Sequence, residues 1–140
     1  MMKSLLFICV ENRARSQIAE GLARHFIGHQ YNVYSAGSQP TDRVHPMAVA
    51  VMAEIGVDIS SQKPKPITSL DLTKIDTAIF LCEDDACPVL PTNIQKLRWP
   101  TTDPTEAQVE TPEDLLRKFR KVRDELRKRV LSLRASDQTW

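Results

Sequence analysis

The sequence predicts an α/β fold of three layers, with a four-stranded parallel sheet between helices. Two near-continuous apolar runs, residues 3–10 and 77–82, read as strands buried on both faces. Segments with apolar residues at helical spacing alternate with the strand patterns, as a parallel sheet requires. The 140 residues amount to one domain. A chain of that length buries roughly two thirds of its unfolded surface, so it needs no staples.

Each element has a local cause. Lys3 to Val10 forms the first strand, and residues 11–15 are polar. Residues 16–28 follow as a helix with Ile18, Ala19, Leu22, Ala23 and Phe26 on one face and Gly28 as its stop. Tyr31-Asn32-Val33-Tyr34-Ser35 alternates and is rich in strand formers. Ala36-Gly37 through Arg43 reads as loop. Pro46 suits the first turn of a second helix, which Ala48, Val49, Val51, Met52 and Ile55 continue to Gly56. Residues 60–76 are mixed and broken by Pro64 and Pro66. Thr77 to Cys82 is the second buried strand.

Residues 83–112 hold five of the nine prolines and read as loop, with a short strand at 96–99. So long an irregular stretch in a compact domain is as a rule functional or mobile. Pro112 opens the clearest helix, with Leu115, Phe119, Val122, Leu126, Val130 and Leu133 recurring at three or four residues. Thr111 is its expected N-cap, and Glu113 and Asp114 suit its first turn. The expected organisation is one domain over 1–135 and a polar tail over 136–140.

Composition excludes several classes. Lys plus Arg is 19 and Asp plus Glu is 18, so the net charge is +1. That balance gives no chain-wide drive toward nucleic acid or an anionic membrane. No apolar run reaches the ~18 residues needed to span a bilayer. The run from Ser4 to Val10 is too short for a leader, so a cytoplasmic protein is expected. Three cysteines cannot form a full set of disulfides. In a reducing compartment they are buried, metal-bound or reactive.

Ligands of such folds sit at the carboxyl ends of the strands. The first strand ends at Cys9, followed by Val10-Glu11-Asn12-Arg13-Ala14-Arg15-Ser16 and a helix. A short loop folded over a helix start points several N–H groups inward and makes an oxyanion nest from Cys9 to Arg15. Arg15 can add a bidentate guanidinium. The same positive field favours the thiolate of Cys9, a nucleophile. Ser16 can hydrogen-bond that thiolate, and Asn12 tolerates the left-handed backbone such a loop uses. The plain alternative is a structural cysteine before an exposed basic loop.

Phe7-Ile8-Cys9-Val10-Glu11-Asn12-Arg13-Ala14-Arg15-Ser16-Gln17-Ile18-Ala19-Glu20-Gly21 resembles the low-molecular-weight protein tyrosine phosphatase superfamily, and so implies that fold. Arg15-Ser16-Gln17-Ile18-Ala19-Glu20-Gly21 is similar to its arsenate reductase branch. Val33-Tyr34-Ser35-Ala36-Gly37, Val44-His45-Pro46, Gly56-Val57-Asp58-Ile59-Ser60, Cys87-Pro88-Val89-Leu90-Pro91 and Asp103-Pro104 extend the likeness.

The resemblance implies a relay. Cys9 attacks arsenate, Cys82 attacks Cys9 and releases arsenite, and Cys87 takes the disulfide outward from Cys82. Thioredoxin is the expected reductant, with glutaredoxin and glutathione as the alternative. Asp103 is the implied general acid. The relay needs movement, because a disulfide tolerates Cα atoms only about 4.4–6.8 Å apart.

Other readings stand beside this one. Cys82 and Cys87 can be a core thiol and a loop thiol. A zinc site needs two further ligands, and His25, His29 and His45 have no metal-like spacing with the cysteines. A phosphomonoester hydrolase needs only Cys9, Arg15 and Asp103, with Cys82 guarding Cys9. The phosphatases proper commonly carry tyrosines after Asp-Pro, and here Thr105-Glu106-Ala107 follow. A redox-regulated oxyanion sensor would fit Glu11, whose carboxylate weakens anion binding unless it points outward.

No tightly bound cofactor is expected. The expected ligand of the loop is phosphate, sulfate or arsenate. The resemblance also implies a potassium ion near residues matching Asn12, Glu20 and Ser35. Its fourth, acidic ligand would fall near Pro64-Lys65, where no acid stands, and Lys65 is expected to supply the cation instead. His45 reads as a helix-start residue and Trp99 as a packing residue. A monomer is expected, without nucleic-acid or membrane partners.

Overall fold

The computed structural model describes residues 2–82, 88–105 and 111–136. The elements in chain order are β1 (Lys3–Cys9), α1 (Arg15–Ile27), β2 (Tyr31–Gly37), α2 (Pro46–Ala53), β3 (Thr77–Phe80), β4 (Gln95–Arg98) and α3 (Pro112–Ser136). The strands form one parallel sheet in the order β2-β1-β3-β4.

The apolar run of β1 feeds two cores. Leu5 and Phe7 pack with Ile18 and Leu22 of α1, Met52 of α2, and Phe119 and Leu126 of α3. Leu6 and Ile8 point the other way, to Ala36, Ala78, Phe80, Cys82, Leu90 and Ile94. Each full burial of such a side chain stabilises the fold by about 2 kcal/mol. The two covering layers differ. The described helices all contribute to the first core. The second is roofed by Ile67, Leu70 and Leu72, from two short 3-10 turns at Ile67–Ser69 and Leu72–Lys74 and the link between them.

Several boundaries differ from the sequence reading. β2 runs on to Gly37, although Ala36-Gly37 reads as loop, because Ala36 pairs with Ile8 and Gly37 with Cys9. A Cβ on Gly37 would lie 2.5 Å from the carbonyl oxygen of Val10, so the chains approach there only without a side chain. Helix α2 ends at Ala53, not Gly56. Gly56, at φ +78°, lets the Val57 N–H reach back to the carbonyl of Met52 at 3.0 Å and close the helix. Strand β3 stops at Phe80, and β4 starts one residue earlier than read.

Helix α3 begins as the sequence predicts. The Thr111 hydroxyl accepts from the Asp114 N–H at 3.1 Å. Phe119, Leu126 and Val130 of α3 are fully buried. Arg120 and Arg123 both hold Glu54, at 2.6 and 2.8 Å. Arg123 also donates to the carbonyl of Val51 at 2.9 Å, which ties α3 to the end of α2. The hydrogen bond from Arg120 lowers the Glu54 carboxyl to about 2, against an opposing effect of burial and with Arg123 adding to the lowering. Trp99 is buried and packs against Phe7, with ring centroids 6.0 Å apart.

The chain leaves β1 toward β2 on one side and returns to β3 on the other. That change of direction opens a crevice at the carboxyl end of β1, where Cys9 stands. No described helix is long and apolar enough to cross a membrane.

Candidate active site

Cys9 closes β1 with 3% of its surface exposed, and its Sγ lies 2.9 Å from Ser16 Oγ. Asn12 sits at φ +51°, the left-handed conformation the sequence predicts for the loop. Its buried amide organises what surrounds it. Asn12 Nδ2 donates to Ser16 Oγ at 2.7 Å and to Ser35 Oγ at 3.0 Å. Asn12 Oδ1 accepts from the Lys65 backbone N–H at 2.8 Å and from Gln17 Nε2 at 3.1 Å. A backbone N–H can only donate, so the Lys65 bond determines which end of the amide is oxygen. The direction of the other bond follows. Ser16 Oγ accepts from Asn12, and its own proton is free to point at Cys9. A thiolate there receives a hydrogen bond from a hydroxyl that has been aimed.

Helix α1 starts behind this loop without the usual cap. Ala14 is its N-cap residue, no side chain caps it, and its first turn holds no acid. The N–H groups and positive end of the dipole are therefore not neutralised by the protein, and an anion can take them.

Arg15 is largely buried. Its Nη1 donates to the carbonyls of Leu81 and Thr101, at 3.1 and 3.0 Å. Its Nη2 lies 3.8 Å from Asp103 Oδ2. This side chain therefore bridges the ends of β3 and β4 to the helix start, and brings Asp103 to the loop. Nη1 is engaged with carbonyls, so anion contacts fall to Nη2 and Nε. Burial by itself would push the Asp103 carboxyl up. The Thr105 N–H and hydroxyl and the charges of Arg15 and Arg13 outweigh it and hold Asp103 below the ordinary carboxylate range.

The remaining sequence-predicted residues are placed as follows. Glu11 points outward, half-exposed, and pairs with Arg13 at 3.4 Å. Its carboxylate therefore does not face the nest. His45 is the N-cap of α2, where Nδ1 accepts from the Met47 N–H at 3.0 Å. Burial, then the charge of Arg13, holds its pKa below the ordinary histidine value, against an opposing effect of Asp103. Cys82 is buried beside Leu6, Ile8 and Phe80. Leu81, one residue before it, donates its N–H to Ile8 at 2.9 Å, so Cys9 closes β1 while Cys82 lies two residues past the end of neighbouring β3, on the same edge of the sheet. Cys87 lies outside the described residues.

The residues implied for potassium do not fit that ion. Asn12 Oδ1 already takes two N–H donors. Ser35 Oγ donates to buried Glu20, and Lys65 Nζ lies 3.6 Å from Glu20 Oε1. Arg24 Nε pairs with the other Glu20 oxygen at 3.0 Å. Glu20 thus has two protein cations. Among the described residues no cluster of three or more His, Cys, Asp or Glu side chains could hold a metal.

Sequence reasoning missed Thr105 and Gln17. Thr105 had a local signal: Asp and Thr two residues apart around Pro104 form a side-chain turn, with Asp103 Oδ1 accepting the Thr105 N–H at 2.9 Å. Gln17 had none, because its partners Gln62 and Lys63 come from a distant loop.

The family model described as low molecular weight phosphotyrosine protein phosphatase matches residues 4–138. An arsenate reductase of Halalkalibacterium halodurans is 41% identical over 130 residues, covering 91% of this chain and 92% of the relative. A solved arsenate reductase in the phosphate binding state superposes with a TM-score of 0.78 at 35% identity, over 96% of this chain and 98% of that one. The thioredoxin-dependent arsenate reductase of Corynebacterium glutamicum superposes with a TM-score of 0.77 at 33% identity, over 99% of this chain and 63% of that one.

Proposed function

The chain belongs to the low molecular weight phosphotyrosine protein phosphatase family, and on that premise we propose that it is an arsenate reductase working through Cys9, Cys82 and Cys87. The observation that carries the proposal is the aimed pair at the loop: Asn12 holds Ser16, and Ser16 lies 2.9 Å from Cys9, at a helix start that lacks a cap side chain. That arrangement suits a thiolate beside a tetrahedral oxyanion. Cys82 on the same sheet edge supplies what reduction needs and hydrolysis does not.

The Cys9 thiolate attacks arsenic, an As–O bond breaks, and Asp103 protonates the departing oxygen to water. Cys82 then attacks Cys9 Sγ. The S–As bond breaks and its electron pair stays on arsenic, which leaves as arsenite. The two thiols become a Cys9–Cys82 disulfide, so two electrons have passed from sulfur to arsenic. Cys87 attacks Cys82, frees Cys9, and leaves a Cys82–Cys87 disulfide for the reductant. Cys82 must leave its apolar pocket beside Leu6 and Ile8 to do this. We assign thioredoxin as the reductant, on the likeness to the Corynebacterium glutamicum enzyme. Cys9, Arg15, Cys82 and Asp103 all come from one chain, which suits a monomer.

The test is NADPH consumption with thioredoxin, thioredoxin reductase and arsenate, with arsenite quantified. One arsenite per NADPH is expected. Cys9-dependent hydrolysis of an aryl phosphate without any arsenite would overturn the reading in favour of a phosphatase.

The Lys65 ammonium takes the place of a potassium ion beside Glu20. Thermal unfolding should therefore give the same Tm in potassium and sodium chloride at equal ionic strength. Lys65→Met should lower Tm and make the protein responsive to potassium. A wild-type protein sharply stabilised by potassium would refute this assignment.

A further inference from the structure

We propose that Arg13 and Thr105 form a latch that turns Asp103 Oδ2 toward the anion loop and makes it the oxygen that carries the proton. The inference rests on the reductase reading. Nothing in that reading uses either residue.

The geometry parallels the one at Cys9. Arg13 Nη2 donates to Thr105 Oγ1 at 3.2 Å. A guanidinium has no acceptor, so Thr105 Oγ1 is the acceptor in that bond. The Thr105 proton is then free for Asp103 Oδ1, 2.7 Å away. The Thr105 backbone N–H reaches the same oxygen at 2.9 Å. Oδ1 therefore accepts two donors, and a proton on this carboxyl belongs on Oδ2. Oδ2 is the oxygen that lies 3.8 Å from Arg15 Nη2 at the loop. On its other side Arg13 is steadied by Glu11 at 3.4 Å. Consecutive loop residues thus do the same work. Asn12 aims a hydroxyl at the nucleophile, and Arg13 aims one at the acid.

In the first chemical step the S–As bond forms and the bond from arsenic to the leaving oxygen breaks. The Oδ2 proton turns the departing hydroxide into water, and Asp103 remains as carboxylate. Without the latch Oδ1 keeps only the Thr105 N–H, so the carboxyl is held less firmly and fewer encounters are productive. Other groups also face Asp103. They are Arg15, Arg13 and His45 and, across a cavity of about 220 Å³, Lys118, Lys121 and Glu125 of α3. None of the α3 groups changes in the variants below.

Thr105→Val removes the hydroxyl at nearly constant volume, and Thr105→Ser keeps it. Two readouts are needed: the NMR titration of the Asp103 carboxyl carbon, and kcat and KM for arsenate against pH. Thr105→Val should raise the Asp103 midpoint and move the alkaline fall of kcat to higher pH. It should lower kcat about tenfold while KM changes little, as expected for lost positioning of an acid. Thr105→Ser should restore both readouts. Arg13→Gln should lower kcat as Thr105→Val does, with KM little changed, and that kinetic loss tests the latch again if Thr105→Val does not fold. An unshifted Asp103 midpoint in Thr105→Val, or a Thr105→Ser as impaired as Thr105→Val, would overturn the latch. If the wild-type chain makes no arsenite, the reductase reading fails, and the carboxyl titration still decides the latch.

Discussion

Cys82→Ser should stop after a single attack on arsenate. Cys9 still forms its bond to arsenic, because Asn12, Ser16, Arg15 and Asp103 are untouched. The serine hydroxyl cannot attack sulfur or hold a disulfide, so arsenite is not released by the relay. Steady NADPH consumption should fall roughly 10³-fold or more, the scale on which loss of a nucleophile acts. Cys9-dependent hydrolysis of an aryl phosphate should survive, since that reaction needs no second thiol. The substitution puts a hydroxyl among Leu6, Ile8 and Leu90, at a cost of about 1–2 kcal/mol. Cys82→Ala avoids that cost and should show the same kinetic arrest. If either variant sustains arsenite production at the wild-type rate, Cys82 is no part of the relay.

The second large effect is expected at Asn12, through both stability and chemistry. Asn12→Gly keeps the φ +51° backbone available and removes the amide. The Lys65 N–H and Gln17 amide then lose an acceptor, and Ser16 and Ser35 lose a donor. Buried groups left without partners should lower unfolding stability by about 3 kcal/mol. Asn12→Ala should lose about 1 kcal/mol more, because alanine also pays for the left-handed conformation. In both, Ser16 is no longer compelled to aim its proton at Cys9. Alkylation of Cys9 by iodoacetamide should slow about tenfold, the loss of roughly one hydrogen bond to a thiolate. Denaturant unfolding and alkylation kinetics check the two effects separately. Unchanged alkylation in an Asn12→Gly protein that remains folded would show that the hydrogen bond from Ser16 does not depend on Asn12.

The legible parts of this protein are those whose causes are local. The double-sided burial of β1 was readable because Leu5 to Ile8 are all apolar. Helix α3 was readable because Thr111, Pro112 and a recurring apolar face lie within one segment. Cys9, Arg15 and Ser16 stood out because a strand end, a short polar loop and a helix start are consecutive in the chain. The boundary at Gly37 was not readable. It depends on a partner, Cys9, and on how near Val10 comes.

The sequence by itself determined the fold class, the short loop from Cys9 to Arg15 between strand and helix, and the family to which the pattern pointed. Those follow from residue types at short spacing. Only the tertiary structure decided which way the hydroxyls aim and what becomes of the charges. Lys65 reaches Asn12 and Glu20 across a separation of more than forty residues, and Thr105 meets Arg13 across ninety-two positions. Glu11 reads either way in the sequence, and only the structure shows its carboxylate turned toward Arg13. A hydrogen bond's direction depends on every donor already committed around it, and those donors arrive from loops that the linear chain keeps far apart.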